Sequence, residues 1–307
     1  MNQSFTITNY LGDSIKLELR RPENSGFLVK SVTGLGPVQA NISTTEMATN
    51  DGSSFNSARL NQRNIVFQFV FLDTIHGESI EDLRQKSYKY FPLKKKLEVI
   101  VEADNRCAKI EGYVESNEPD IFSSQEGTQI SIICPDPYFY SAGENNTNVT
   151  VFNTVEPMLE FPFANESTTS ALLEMGVIKN QTEQLIVYSG DSEIGLTITI
   201  HAIGKASNIS IYNINTRETM RIDTNKLETL TGSGIVAGDE IIICTVKGEK
   251  SIILIRDGKT TNILNCLDKN ADWLKISKGD NIFAYTAESG SDNLQFKIEN
   301  RIAYEGL

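Results

Sequence analysis

Chemistry needs converging groups of tuned acidity, and this chain offers few of the residue types that supply them. It has two histidines, His76 in DTIHGES and His201 in LTITIHAI. His201 falls on the strand face opposite Leu196, Ile198 and Ile200. Neither histidine sits by a serine or cysteine in a nucleophile setting such as G-x-S-x-G, so both read as exposed or structurally bonded. The four cysteines, Cys107, Cys134, Cys244 and Cys266, form no CxxC pair. With two histidines to help them, a zinc site is not expected. They read as reduced, mostly buried thiols of a protein made in the cytosol. Cys134 precedes Pro135 at a strand end and has no neighbouring base to activate it. Paired carboxylates could serve glycoside hydrolysis: Glu98 with Glu102, Glu111 with Glu115, and Asp239 with Glu240. In a chain of net charge −12 they read instead as solvated faces. GLGP and TGSG lack the helix and lysine that phosphate binding needs. No catalytic residue, cofactor or metal ligand is assigned.

Binding without catalysis leaves other candidates. Trp273, Tyr285 and Tyr212 could stack against sugar rings, although Trp273 next to Leu274 also reads as a core residue. Lys94-Lys95-Lys96 is the one sharp positive run, either a solvated turn or a contact to another subunit. Arg63 and Arg84 are candidates for an interface or a core ion pair, since a guanidinium can fork onto a carboxylate.

The elements that position these residues are mainly strands. RNIVFQFVFL, from Arg63, alternates Ile65, Phe67, Phe69 and Phe71 with more polar or β-branched partners, as a half-buried strand does. Ile80, Leu83, Ser87 and Phe91 then recur at helical spacing, with Tyr88 beside them. Ser79 and Asp82 approximate a capping box, and Pro92 stops the helix. LEVIV, AKIEGYVES and TQISIIC follow as strands, closed by CPDPYFYS. Upstream, residues 4–10 and 14–20 flank Leu11-Gly12-Asp13 as a hairpin, and FLVKSV is a further short strand. The long stretch 33–62 is polar and glycine-rich; Asp51-Gly52 is a hairpin-turn signal within it, against the reading of a mobile surface loop.

At 307 residues the chain suggests two domains, expected at 1–142 and 143–307 around the polar AGENNTNVT. From Ile178 onward the pattern is all strand, with turns such as Lys247-Gly248-Glu249 and Asp257-Gly258, as in a sandwich or jelly roll. A pI near 4.8 argues against a groove that grips DNA or an anionic membrane. No signal peptide or membrane-spanning run is expected.

The order of these pieces resembles the distal tail protein family of long-tailed phages and phage-like particles. The resemblance rests on Arg63 with its aromatic strand, Arg84 with YKYFP after it, the Gly112 strand and Pro135-Asp136-Pro137-Tyr138-Phe139. It continues through GLTITIHAIG, GDEIIICTVKGEK, Trp273 in ADWLKISKGDN and the final IAYEGL, leaving 142–177 without a counterpart. Residues 205–208 read KASN where the family has an asparagine-proline turn. The resemblance implies a β-sandwich or barrel-like first domain with one short helix, then a galectin-like or jelly-roll sandwich. It implies a structural role without catalysis or cofactor. Six copies would form a ring in the virion tail, with an arm near 33–62 reaching a neighbour. The ring would join the tail tube protein to a tail-associated hub or lysin protein, leave a channel for DNA and carry receptor-binding proteins. Neither sequence-specific nucleic-acid binding nor membrane insertion is implied. The alternative is a carbohydrate-binding adhesion module acting through Trp273 and its neighbours.

Overall fold

The computed structural model describes residues 3–47, 51–72, 77–143, 147–157 and 176–307, with only the main chain for 153–157 and 176–180. His76 lies outside them. The chain divides into two compact units: residues 1–146 with 303–307, and residues 147–302. The expected second domain included the last five residues; the structure carries them back to the first unit.

The first unit contains β1 (Ser4–Asn9), β2 (Ser14–Glu18), β3 (Phe27–Thr33), β4 (Ala40–Glu46), β5 (Ser53–Leu60), β6 (Arg63–Phe71), α1 (Ile80–Tyr90), β7 (Lys96–Glu102), β8 (Cys107–Pro119), β9 (Gly127–Cys134) and β10 (Phe139–Ser141). A nine-stranded antiparallel sheet runs β2-β1-β7-β8-β9-β6-β3, and β10 pairs with β8. β8 is long enough to pair with β7 over its first half and with β9 over its second, bending at a bulge between Val114 and Ser116. The sheet thereby folds over one core: Phe5 of β1 meets Phe67 of β6 edge-on at 5.3 Å, although β7, β8 and β9 separate their strands in the sheet order. Ile65, Phe67, Phe69 and Phe71 all point into that core, as their alternation requires.

Helix α1 starts where the sequence signals it. Ser79 accepts from the Asp82 amide, and the Asp82 carboxylate accepts from the Ser79 amide, a complete capping box. Of the expected stripe, Leu83, Ser87 and Phe91 are buried, whereas Ile80 and Tyr88 are partly exposed. β4 and β5 form a separate two-stranded sheet, with Gly52 at φ +91° in the turn. The hairpin keeps little apolar surface to itself: Ile42 and Phe55 stand in solvent.

The second unit runs β11 (Thr147–Val151), β12 (Asn153–Pro157), β13 (Gly176–Asn180), β14 (Glu183–Tyr188), β15 (Ile194–Gly195), β16 (Thr197–Ala202), β17 (Ser207–Asn213), β18 (Thr219–Ile222), α2 (Thr224–Thr231), β19 (Glu240–Cys244), β20 (Ser251–Arg256), β21 (Lys259–Asn262), β22 (Lys275–Ile276), β23 (Gly279–Ser289) and β24 (Leu294–Arg301). A six-stranded sheet, β11-β24-β16-β19-β20-β21, and a four-stranded sheet, β14-β23-β17-β18, contribute to a single core. Tyr285 of β23 stacks on Phe296 of β24 at 3.7 Å and joins the two. This is a β-sandwich, as expected. Helix α2 departs from the all-strand expectation. Asp223 caps its first amides and Gly232, at φ +81°, ends it.

After β24 the chain returns to the first unit as β25 (Ala303–Tyr304), which pairs with β10. The second unit is therefore inserted between two neighbouring strands of the first. Its own first and last strands, β11 and β24, are also neighbours, with Thr147 opposite Arg301.

Candidate interface surfaces

Arg63 opens β6 and is 1% exposed, so it offers no surface to another subunit. Among the described residues it makes no ion pair either; its partners are main-chain carbonyls. Nε donates to Pro137 O at 2.7 Å, Nη1 to Gly34 O and Gly36 O at 2.5 and 2.6 Å, and Nη2 to Glu305 O at 2.7 Å. The guanidinium lies over the Phe139 ring, 4.5 Å from its centroid. Burial lowers its pKa, yet an arginine stays charged, and charge-assisted bonds of this kind are the stronger ones. One side chain thus fastens the segment after β3, the Pro135–Pro137 turn and the chain's return. That return is held at further points: Arg106 donates to Gly306 O at 3.0 Å and covers the Tyr304 ring, and the Leu307 amide donates to Leu35 O at 3.1 Å. Gly34 is fitted to this place, since its φ is +85° and a Cβ there would run into the Asn64 carbonyl.

Arg84, on α1, takes the ion-pair role. Its Nη2 lies 3.7 Å from Glu126 Oε2, and Glu126 Oε1 accepts from the Phe122 amide at 3.2 Å. Arg84 Nε is buried without an acceptor among the described residues. The pair anchors the loop between β8 and β9 to the helix. At the tip of that loop Phe122 is 96% exposed, with φ +63°. Nothing in the alternation of β8 or β9 pointed to this residue.

The three lysines of the run have different surroundings. Lys96 pairs with Glu111 at 2.8 Å, Lys95 lies over the Tyr10 ring at 5.2 Å, and Lys94, at φ +63°, has no ion pair among the described residues.

The three aromatics proposed for sugar do not form a platform. Tyr285 is a core residue, 2% exposed, whose hydroxyl donates to Leu294 O at 3.2 Å. This corrects its assignment as a surface contact. The expectation overlooked that β23 lies between β14 and β17 and turns alternate residues inward. Trp273 is partly buried against the same core, with Lys250 over its ring at 4.8 Å. Tyr212 is half-buried on β17.

The carboxylate pairs have partners of their own. Glu98 pairs with Lys109 at 3.2 Å, Glu102 with Lys16 at 2.9 Å, and Glu115 accepts from Ser131 at 2.9 Å. Bonds from Ser4 and Lys16 hold the Glu102 carboxyl below its usual range. Asp239 is buried and forks onto Arg256, at 2.7 Å to Nε and 2.6 Å to Nη2. Arg256 also donates to Ser233 Oγ and Gly234 O, closing the loop after α2. His201 is exposed on β16, opposite the buried face, as expected. Among the described residues no group of His, Cys, Asp and Glu is placed to hold a metal, and no helix is long and apolar enough to cross a membrane.

No protein-family profile matches the sequence, and no curated protein is significantly similar to it. Solved structures are similar. The crystal structure of SPP1 Dit, described as a paradigm of the hub adsorption apparatus in phages infecting Gram-positive bacteria, aligns over 97% of this chain and 98% of its own, with TM-score 0.64 and 12% identity. The phage p2 baseplate in its activated conformation aligns with TM-scores of 0.47 with strontium and 0.46 with calcium, each at 14% identity. These cover 97% and 98% of this chain and 98% of the other chain in both cases. The chain thus shares the fold of SPP1 Dit over 97% of its length.

Proposed function

We propose that this chain is a structural component of the baseplate hub in the tail of a long-tailed phage or phage-derived particle, and is not an enzyme. The observation that carries the reading is the end-to-end fold match to SPP1 Dit, which spans both units. In this reading six copies close into a ring by heterologous contacts. The ring joins the tail tube protein to a tail-associated hub or lysin protein, and receptor-binding proteins attach through the second unit. The β4–β5 hairpin supports it, because an isolated two-stranded ribbon is marginal in water and gains from pairing with a neighbour's sheet edge. A net charge of −12 suits a channel through which DNA passes without being held. The sugar-binding alternative is not adopted, since Tyr285 is buried and Lys250 covers Trp273.

The test is light scattering on the purified chain together with negative-stain images of the particle peak. A six-fold ring with a central hole supports the reading. Assemblies of another symmetry, or open filaments, overturn it.

A further inference from the structure

Two exposed features of the first unit complement each other and cannot meet within one copy. The first is the β8–β9 loop. Phe122 stands at its tip, almost fully exposed and in a backbone conformation that bulky side chains rarely adopt. Ile121 beside it is partly exposed. Glu118 and Asp120 precede them, exposed and without ion pairs among the described residues. The loop is braced: Asp120 N donates to Gly127 O at 3.0 Å, and Glu126 holds the Phe122 amide while pairing with Arg84. A braced apolar tip presented to solvent just after two exposed carboxylates is a plug without a socket.

The second feature lies at the other end of β8's second half. Lys96 is paired with Tyr113 in the sheet, and Tyr10 follows Asn9, which is paired with Leu97. The β1–β2 turn and the α1–β7 turn are tied together there. Asn9 Nδ2 donates to Lys89 O at 3.1 Å, Lys89 pairs with Asp13 at 3.4 Å, and Lys95 covers Tyr10. Tyr10, Leu11, Leu93 and Tyr113 are all about half exposed or more, Leu11 at 69%. Lys94 and Lys95 frame them, neither ion-paired among the described residues.

We infer that Phe122 and Ile121 of one copy seat on the Tyr10, Leu11, Leu93 and Tyr113 surface of a second copy, with Glu118 and Asp120 meeting Lys94 and Lys95. The neighbouring acids have their own partners, Glu111 with Lys96, Asp13 with Lys89 and Glu115 with Ser131, so Lys94 and Lys95 are left to draw the acidic loop of another copy onto this apolar surface. The surfaces differ, so the contact is head-to-tail and each copy keeps one of each free for the next. Six residues of extended strand, roughly 20 Å, separate Tyr113 from Pro119, which prevents a copy from closing on itself. The inference deepens the ring reading and rests on it for closure, but not for the contact.

The experiment uses the full chain. Its self-association is followed by sedimentation over a range of concentrations for wild type, Phe122→Ser, a Glu118→Lys/Asp120→Lys variant, a Lys94→Glu/Lys95→Glu variant and the combined four-site charge swap. Phe122→Ser and each charge reversal are expected to weaken association by about tenfold or more, and the combined swap to restore most of it. A photocrosslinker at position 122 is expected to label residues 10–11, 93–95 or 113 of a second copy. Association that ignores all four changes, or labelling elsewhere, overturns the inference and leaves the ring reading standing. A wild-type chain that stays monomeric throughout also overturns it, since the contact is held to form without a tube. Open filaments that respond to the swap leave the contact standing and overturn the ring.

Discussion

The guanidinium of Arg63 donates to the carbonyl of Glu305 at 2.7 Å, across 242 positions of sequence. The same group holds Gly34, Gly36 and Pro137, so the first unit is complete only when the last residues of the chain have returned to it. Arg63→Ala would leave four carbonyls facing a hole. Leaving buried carbonyls without their donor costs about 1–3 kcal/mol each, and the first unit is expected to lose at least about 3 kcal/mol in a urea melt. Deleting 303–307 should cost a similar amount. Because both changes break one network, their combination should cost clearly less than the sum. Additive losses would show that the two act separately.

The second unit has its own buried fork, Asp239 on Arg256. Arg256→Ala leaves a carboxylate that is 1% exposed without its cation, a loss of about 3–5 kcal/mol. Hydrogen exchange read unit by unit should place the loss in β19, β20 and the loop after α2, with β6 and β9 unchanged.

Cys134 is expected to be silent toward thiol reagents. Burial pushes its thiol up to about 12, with Arg63 acting in the opposite direction and Asp136 in the same one. In the native protein at pH 8 it should stay unlabelled while the partly exposed Cys107 and Cys244 react. The folded value lies above the unfolded one, near 9. The thiol's contribution to stability is therefore intact below about pH 9 and is lost as pH rises toward 12. Comparing alkaline melts of wild type and Cys134→Ala checks the sign: the variant should lose less stability over that window.

The β4–β5 hairpin separates assembly from folding. Ile42→Asp and Phe55→Asp alter exposed side chains, so each should change stability by no more than about 0.5 kcal/mol. If the hairpin lies on a neighbouring copy, the same changes should abolish rings in negative-stain images. Intact rings from both variants would remove the arm from the assembly scheme.

Much of this architecture is legible locally. The alternation from Ile65 to Phe71 and the Ser79–Asp82 box act over a few residues, and the structure keeps both. Helix α2 carried comparable signals, Asp223 at its start and Gly232 at its end, but its short length and its strand-rich surroundings hid them. Arg63 shows the limit. Its type suggested a carboxylate partner; its actual acceptors are carbonyls drawn from three distant segments, which no spacing rule brings together. Phe122 was equally hidden, since an exposed aromatic in a loop has no periodicity to betray it.

The insertion of the second unit between paired strands has a consequence for how such chains can diversify. Tyr140 lies opposite Ala303, and Thr147 opposite Arg301, so the crossings out and back are side by side in each unit's sheet. Two recombination points suffice to exchange the whole second unit as a cassette, while the latch formed by Arg63, Arg106 and residues 303–307 stays intact. The second unit can thus change without disturbing the carbonyl network that closes the first.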